Sequence, residues 1–151
     1  MQSTYDKIWE SALNLIQARM MSRSDLARKL RQKYPDEEGY ISQALGEMER
    51  VELLNDKRYA EQLVSHLTQR PIGRLKIMVE TRKRGLDVDM VQAILMASFY
   101  DEEAACKKAL GEKEKTVRET DARKRKFKLM NFLRSRGFTD AVIWATLRKR
   151  Q

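Results

Sequence analysis

A chain of 151 residues with 31 Lys and Arg against 22 Asp and Glu, net +9, and 42% apolar content can form one compact unit or a few small ones and is too apolar for a disordered tail. One Cys excludes an intramolecular disulfide framework and fits a reducing compartment; one His and one Cys exclude a His- or Cys-rich metal site; six Gly and two Pro leave little punctuation for an all-β fold. No run approaches the ~18 apolar residues of a membrane span, no secretory signal opens the chain, and neither GxxxxGK[ST] nor GxGxxG occurs, so a cytoplasmic, soluble, basic helical protein with no cofactor is expected.

Apolar spacing is helical almost throughout. Ile8, Ala12, Leu15 and Ile16 mark a first amphipathic stripe that ends near Arg19–Met21. Ser22 caps a second helix carrying Leu26 and Leu30, with Asp25 as its capping-box partner, and Pro35 stops it. Asp36, Glu37 and Glu38 suit the N-terminus of a third, which carries Ile41, Ala44, Leu45 and Met48. Asn55 or Asp56 opens a fourth through Tyr59, Leu63 and Leu67. Pro71-Ile72-Gly73 marks a break, after which Leu75, Ile77, Met78 and Thr81 define a fifth helix with Gly85 just past its end. Asp87 caps a sixth bearing Met90, Val91, Ile94 and Leu95. Asp101-Glu102-Glu103 starts a seventh with Ala105, Ala109 and Leu110, and the charge-rich stretch 107–121 is expected to be exposed or frayed. From Arg123 a basic helix carries Phe127, Leu129, Met130, Phe132 and Leu133 and ends at Gly137. Thr139 caps the last helix, with Val142, Ile143, Thr146 and Leu147 inward. About nine helices and no strand are predicted.

Two of these segments match. ETRKRGLDVDMVQAIL and NFLRSRGFTDAVIWATL share Arg-Gly, an apolar residue, a polar cap and an apolar helix. Gly85 on Gly137 puts Ile77 on Leu129, Thr81 on Leu133 and Arg84 on Arg136. Leu26 and Leu30 begin a weaker third copy, in which Lys33 takes the basic position and Tyr34 replaces the Gly. A period near 50 residues with three helices per unit implies a tandem array whose neighbours bury each other's apolar faces. The predicted units are 1–55, 56–98 and 99–151. Charge is uneven along them: residues 1–60 hold ten basic and ten acidic side chains, residues 121–151 hold ten and two. A field of that sign attracts phosphates or an acidic protein surface and weakens with salt.

Four motifs, in order from about residue 12 to 147, are similar to the RecX family of bacterial regulators of the RecA recombinase. They are Ala12, Leu15, Arg19, Ser22, Asp25, Leu26, Lys29 and Leu30; Leu53-Leu54-Asn55-Asp56 with Tyr59-Ala60; Arg84-Gly85-Leu86; and Phe132-Leu133 through Arg136-Gly137-Phe138. Departures fall at Tyr34, Glu52-Leu53, Pro71-Ile72-Gly73 and Thr81, all turn or packing positions. The resemblance implies an all-α fold of three tandem three-helix repeats, elongated and curved. It implies a non-enzyme that binds RecA filaments on single-stranded DNA, limits their extension and lowers RecA ATPase and strand exchange, in recombination, DNA repair and the SOS response. A monomer is implied on the same ground.

A basic helical ribbon can lie in a filament groove through many weak contacts. The candidate RecA- and DNA-binding residues are Arg82, Lys83 and Arg84 in the middle repeat. In the last they are Arg123, Lys124, Arg125, Lys126, Lys128, Arg134, Arg136, Arg148, Lys149 and Arg150. Lys33, Arg84 and Arg136 also sit where a cation complements a helix C-terminus. Trp144, beside Ile143, is expected to pack in the core or to stack on a base. Trp9, His66 and Cys106 are expected to be structural, and the Asp101–Glu103 run a helix start rather than a metal site. The alternative is a general single- or double-stranded nucleic-acid-binding helical protein with no RecA partner. An enzyme using carboxylates on a helical scaffold has no recognisable constellation here.

Overall fold

The computed structural model describes residues 1–150. They form α1 (Thr4–Ala18), α2 (Arg23–Lys33), α3 (Glu38–Arg50), α4 (Asp56–Leu67), α5 (Arg74–Lys83), α6 (Val88–Ala97), α7 (Glu102–Glu114), α8 (Ala122–Ser135) and α9 (Asp140–Arg148), with no strand among the described residues. Seven helices begin under a side-chain cap. Ser3, Ser22, Asn55, Asp87, Asp101, Asp121 and Thr139 each accept the backbone N–H three residues on. The reciprocal capping box belongs to Ser3 and Asp6. At Ser22 it does not form, because the Asp25 carboxylate lies 3.7 Å from Arg28 instead. Of the stretch 107–121, expected to be exposed or frayed, residues up to Glu114 are helical and 115–121 form an irregular link. The seventh helix runs on to Glu114, anchored by buried Cys106, Ala109 and Leu110.

Helices pack in three sets of three: α1–α3, α4–α6 and α7–α9. Each set has its own apolar core. The first holds Ile8, Leu26, Leu30, Ile41, Leu45 and Met48. The second holds Val64, Ile72, Ile77, Val91 and Leu95, and the third holds Cys106, Leu110, Leu133, Phe138 and Ile143. The aligned pairs Leu26/Leu30, Ile77/Thr81 and Leu129/Leu133 are all buried, so the repeat register read from sequence is the packing register. Thr81 satisfies its hydroxyl inside the core by donating to the carbonyls of Ile77 and Met78. Burying each Leu or Ile stabilises by ~1.5–3 kcal/mol, and three small cores replace one large one.

The sets join end to end through their middle helices. Gly73 gives α5 no side-chain cap. Its N–H donates instead to the Arg136 carbonyl at 2.7 Å, and the Leu75 N–H donates to the Gly137 carbonyl at 3.0 Å. Open N–H groups at the start of α5 thus meet open carbonyls at the end of α8. Gly85 packs on the start of α2 in the same position, against Ser22 and Ser24, but there the Arg23 N–H donates to the Asp56 carboxylate at 2.8 Å rather than to the glycine turn. Both glycines are left-handed, at φ 75° and 86°. They end their helices as the sequence predicts, and they also leave room for the preceding unit. Tyr34, their counterpart in the first unit, has an ordinary φ of −129° and bonds through its hydroxyl to Ser11 at 2.9 Å.

Candidate functional site

The thirteen candidate cations do not share one face. Arg82, Lys83 and Arg84 end α5 beside the first junction, all exposed. Lys83 lies 3.8 Å from Glu80, whereas Arg82 and Arg84 form no ion pair among the described residues. Arg123 to Lys126 are consecutive on α8. At about 100° per residue they ring the helix as a collar rather than lining one side. Arg123 and Lys124 are exposed and unpaired among the described residues. Arg125 is half-buried and donates to the Val117 carbonyl at 3.4 Å. Lys126 covers the Trp144 ring at 4.7 Å. Trp144 is therefore neither core nor open: it is 43% exposed, with a cation over its face.

The remaining candidates are committed in part to the fold. Lys128 pairs with Glu119 at 3.4 Å and Arg134 with Asp140 at 2.9 Å. The Arg136 guanidinium packs on Phe132 at 4.8 Å. Lys149 bonds to Glu103, and Arg150 lies 3.2 Å from Glu114, tying the end of α9 to α7. Arg148 is exposed and unpaired among the described residues. All these pairs are open to water, so each stabilises little and each cation can be drawn to a stronger anion.

Other expectations resolve simply. His66 is exposed in the last turn of α4, and Trp9 is half-buried against the first core. Cys106 is fully buried, and burial pushes its thiol above the ordinary value. Asp101 caps α7, Glu102 faces Arg74 at 3.6 Å and Glu103 bonds Lys149. No cluster of three or more His, Cys, Asp or Glu among the described residues could hold a metal ion. No described helix is long and apolar enough to cross a membrane.

Two features escape sequence reading. The side chains of Leu75 and Phe127, assigned to helical stripes, are 53% and 61% exposed, at the same register of α5 and α8. Alternation of apolar residues does not tell which edge of a stripe meets a neighbour. Lys113 and Arg118, absent from the candidate set, line a groove with Phe127, Lys128 and Phe132. Only the fold of the 115–121 link brings them together.

No protein-family model matches the chain. A protein of Pelodictyon phaeoclathratiforme described as "Regulatory protein RecX" is 35% identical over 91% of this chain and 84% of its own length. Proteins of the same description from Chlorobaculum tepidum and Herminiimonas arsenicoxydans are 30% and 33% identical, each over 93% of the chain and over 83% and 90% of their own lengths. The crystal structure of RecX from Lactobacillus salivarius superimposes with a TM-score of 0.78 at 22% identity, covering 96% of this chain and 95% of that one. A second crystal structure of regulatory protein RecX gives 0.83 at 19%, covering 95% of this chain and 73% of that one. With the fold, the repeat register and the likeness in agreement along the chain, it belongs to the RecX family of regulatory proteins.

Proposed function

We propose that this protein is a non-catalytic, monomeric regulator of the RecA recombinase in the cytoplasm. It binds RecA filaments on single-stranded DNA, limits their extension and lowers ATPase and strand exchange, in recombination and DNA repair. The observation that supports this best is identity of 30–35% to regulatory RecX proteins over more than nine-tenths of the chain. The three units, 1–55, 56–98 and 99–151, act as a ruler. The second and third bring the candidate cations, and holding these weak contacts on one array removes most of the separate association penalty. Of the thirteen candidates, Arg82, Arg84, Arg123, Lys124 and Arg148 are the most available to phosphate or to an acidic protein surface, because they form no ion pair or ring contact among the described residues. Concentration of charge in the last unit also favours a plain nucleic-acid binder.

The test is the single-stranded-DNA-dependent ATPase of RecA, titrated with this protein at physiological salt. Inhibition well below one molecule per RecA, weakened by combining R82A, R84A, R123A and K124A, is expected. These four substitutions spare Arg125 and Lys126, whose loss would disturb the Val117 and Trp144 contacts. Inhibition only when the protein coats the DNA, with a steep salt slope, identifies the plain binder.

A further inference from the structure

We propose that the groove between the end of α7, the 115–121 link and α8 is a subsite for an unstacked base of single-stranded nucleic acid, with Phe127 as the stacking ring. This deepens the nucleic-acid side of the function proposed above and rests on it. The groove has a volume of about 640 Å³. Phe127, Asn131 and Phe132 line it with two rings and an amide, while Lys113, Arg118 and Lys128 supply positive charge. Every base has a π-face, so a ring amid cations holds any single strand and ignores a duplex, whose bases are already stacked.

Three comparisons within the molecule single out Phe127. Phe132 has Lys113 at 5.1 Å and Arg136 at 4.8 Å over its ring, and Trp144 has Lys126. No cation lies over Phe127 among the described residues, and the ring is 61% exposed. Phe99 is more exposed still, but Asp101, Glu102 and Glu103 follow it closely and repel phosphate. Leu75, the counterpart of Phe127 in the second unit, has no aromatic surface. An exposed aromatic ring among positive charges therefore occurs in this groove. Glu119 is the acid at its edge. It holds Lys128 at 3.4 Å in a pair that water weakens, and a phosphate can replace it.

The test compares the unaltered full chain with F127A and F127W by fluorescence anisotropy. The probes are a labelled oligothymidine, an abasic phosphodiester of equal length and charge, and a duplex. Oligothymidine is expected to bind the unaltered chain more tightly than the abasic strand. F127A is expected to weaken oligothymidine about tenfold, leaving the abasic strand and the melting temperature unchanged, while F127W retains affinity. Equal binding of the two single strands by the unaltered chain overturns the proposal, as does an F127A affinity equal to that of the unaltered chain. F127A that keeps oligothymidine affinity but loses RecA inhibition assigns the groove to a protein surface and also overturns it. Loss of oligothymidine affinity in a chain that never inhibits RecA supports the subsite and refutes the regulator.

Discussion

Gly137→Ala tests whether the units are joined through their glycines. A Cβ on Gly137 would lie 2.3 Å from the Lys76 backbone nitrogen and 2.4 Å from the Lys76 Cβ, so either α5 or α8 must move. Its φ of 86° adds a left-handed penalty of ~1–2 kcal/mol for a residue with a Cβ. Movement also stretches the hydrogen bonds from Gly73 and Leu75 to Arg136 and Gly137, each contributing ~0.5–1.5 kcal/mol. The total is about 2–5 kcal/mol. Gly73→Ala separates these effects, because its φ of −89° is ordinary while its Cβ would lie 2.2 Å from the Gly137 carbonyl oxygen. Urea unfolding read by circular dichroism gives the stability loss. Cys106, the one thiol and fully buried in the third unit, reports where it arises. Both variants are expected to speed thiol labelling, because loss of the junction lowers the free energy for opening the third unit's own core around Cys106. Gly46→Ala, on α3 with nothing within 4 Å of its Cβ, is expected to gain ~0.5–1 kcal/mol. If G73A matches the unaltered chain within ~0.5 kcal/mol, or G137A loses no more than the left-handed penalty, the junction is not held by close approach.

Glu52, at φ 60°, occupies a left-handed turn where relief of ~1–2 kcal/mol on changing to Gly exceeds the ~0.5–1 kcal/mol of added chain entropy. E52G is therefore expected to raise the urea midpoint slightly, and a lower midpoint would count against strain there. Burial, with Glu102, Cys106 and Asp101 adding and Arg74 opposing, pushes the Tyr100 hydroxyl up to about 12. A raised folded value favours the neutral form, so this stabilisation is complete below about pH 10 and is lost as pH rises through 12. The ceiling is about 2.7 kcal/mol, and partial exposure reduces it to ~1. Y100F, which also gives up the hydrogen bond to the Ile72 carbonyl, is expected to lose stability less steeply between about pH 10 and 12 than the unaltered chain; parallel curves would refute this.

Helix starts and cores were legible because both are local. Ser22, Asn55, Asp87 and Thr139 act within their own first turns, and the i, i+4 pairs that define the repeat point into the cores. Gly85 and Gly137 were legible as helix ends and illegible as junctions. A φ preference is written in one residue, whereas a close approach depends on a partner about sixty residues away. The same reason hides the groove. Lys113, Arg118 and Phe127 meet through the link, and nothing in their spacing records it. The cations were easy to count and hard to place, since Arg125, Lys126 and Arg136 spend part of their reach on a carbonyl and two rings.

The ends of the array follow from the rule that joins its units. Each junction seats a left-handed Gly at the end of one middle helix against the start of the preceding one. The register that pairs Leu26 with Ile77 and Leu129 places Ser22, Gly73 and Arg125 at the same point. In α2 and α5 that point is the N-cap, but the N-cap of α8 lies four residues earlier, at Asp121. The added turn carries Arg123 and Lys124 and is capped by Asp121, so α8 extends past the point at which α2 and α5 receive a Gly. At the other end Tyr34 has neither the φ nor the small size to seat on a preceding unit. On this rule head-to-tail stacking of copies is not expected, and the added turn's Arg123 and Lys124 are two of the candidate cations with no ion pair among the described residues. Sedimentation velocity is expected to show one monomeric species at rising concentration and low salt. Self-association of the unaltered chain that K124E weakens would show the added turn to be a junction, and the argument would fail.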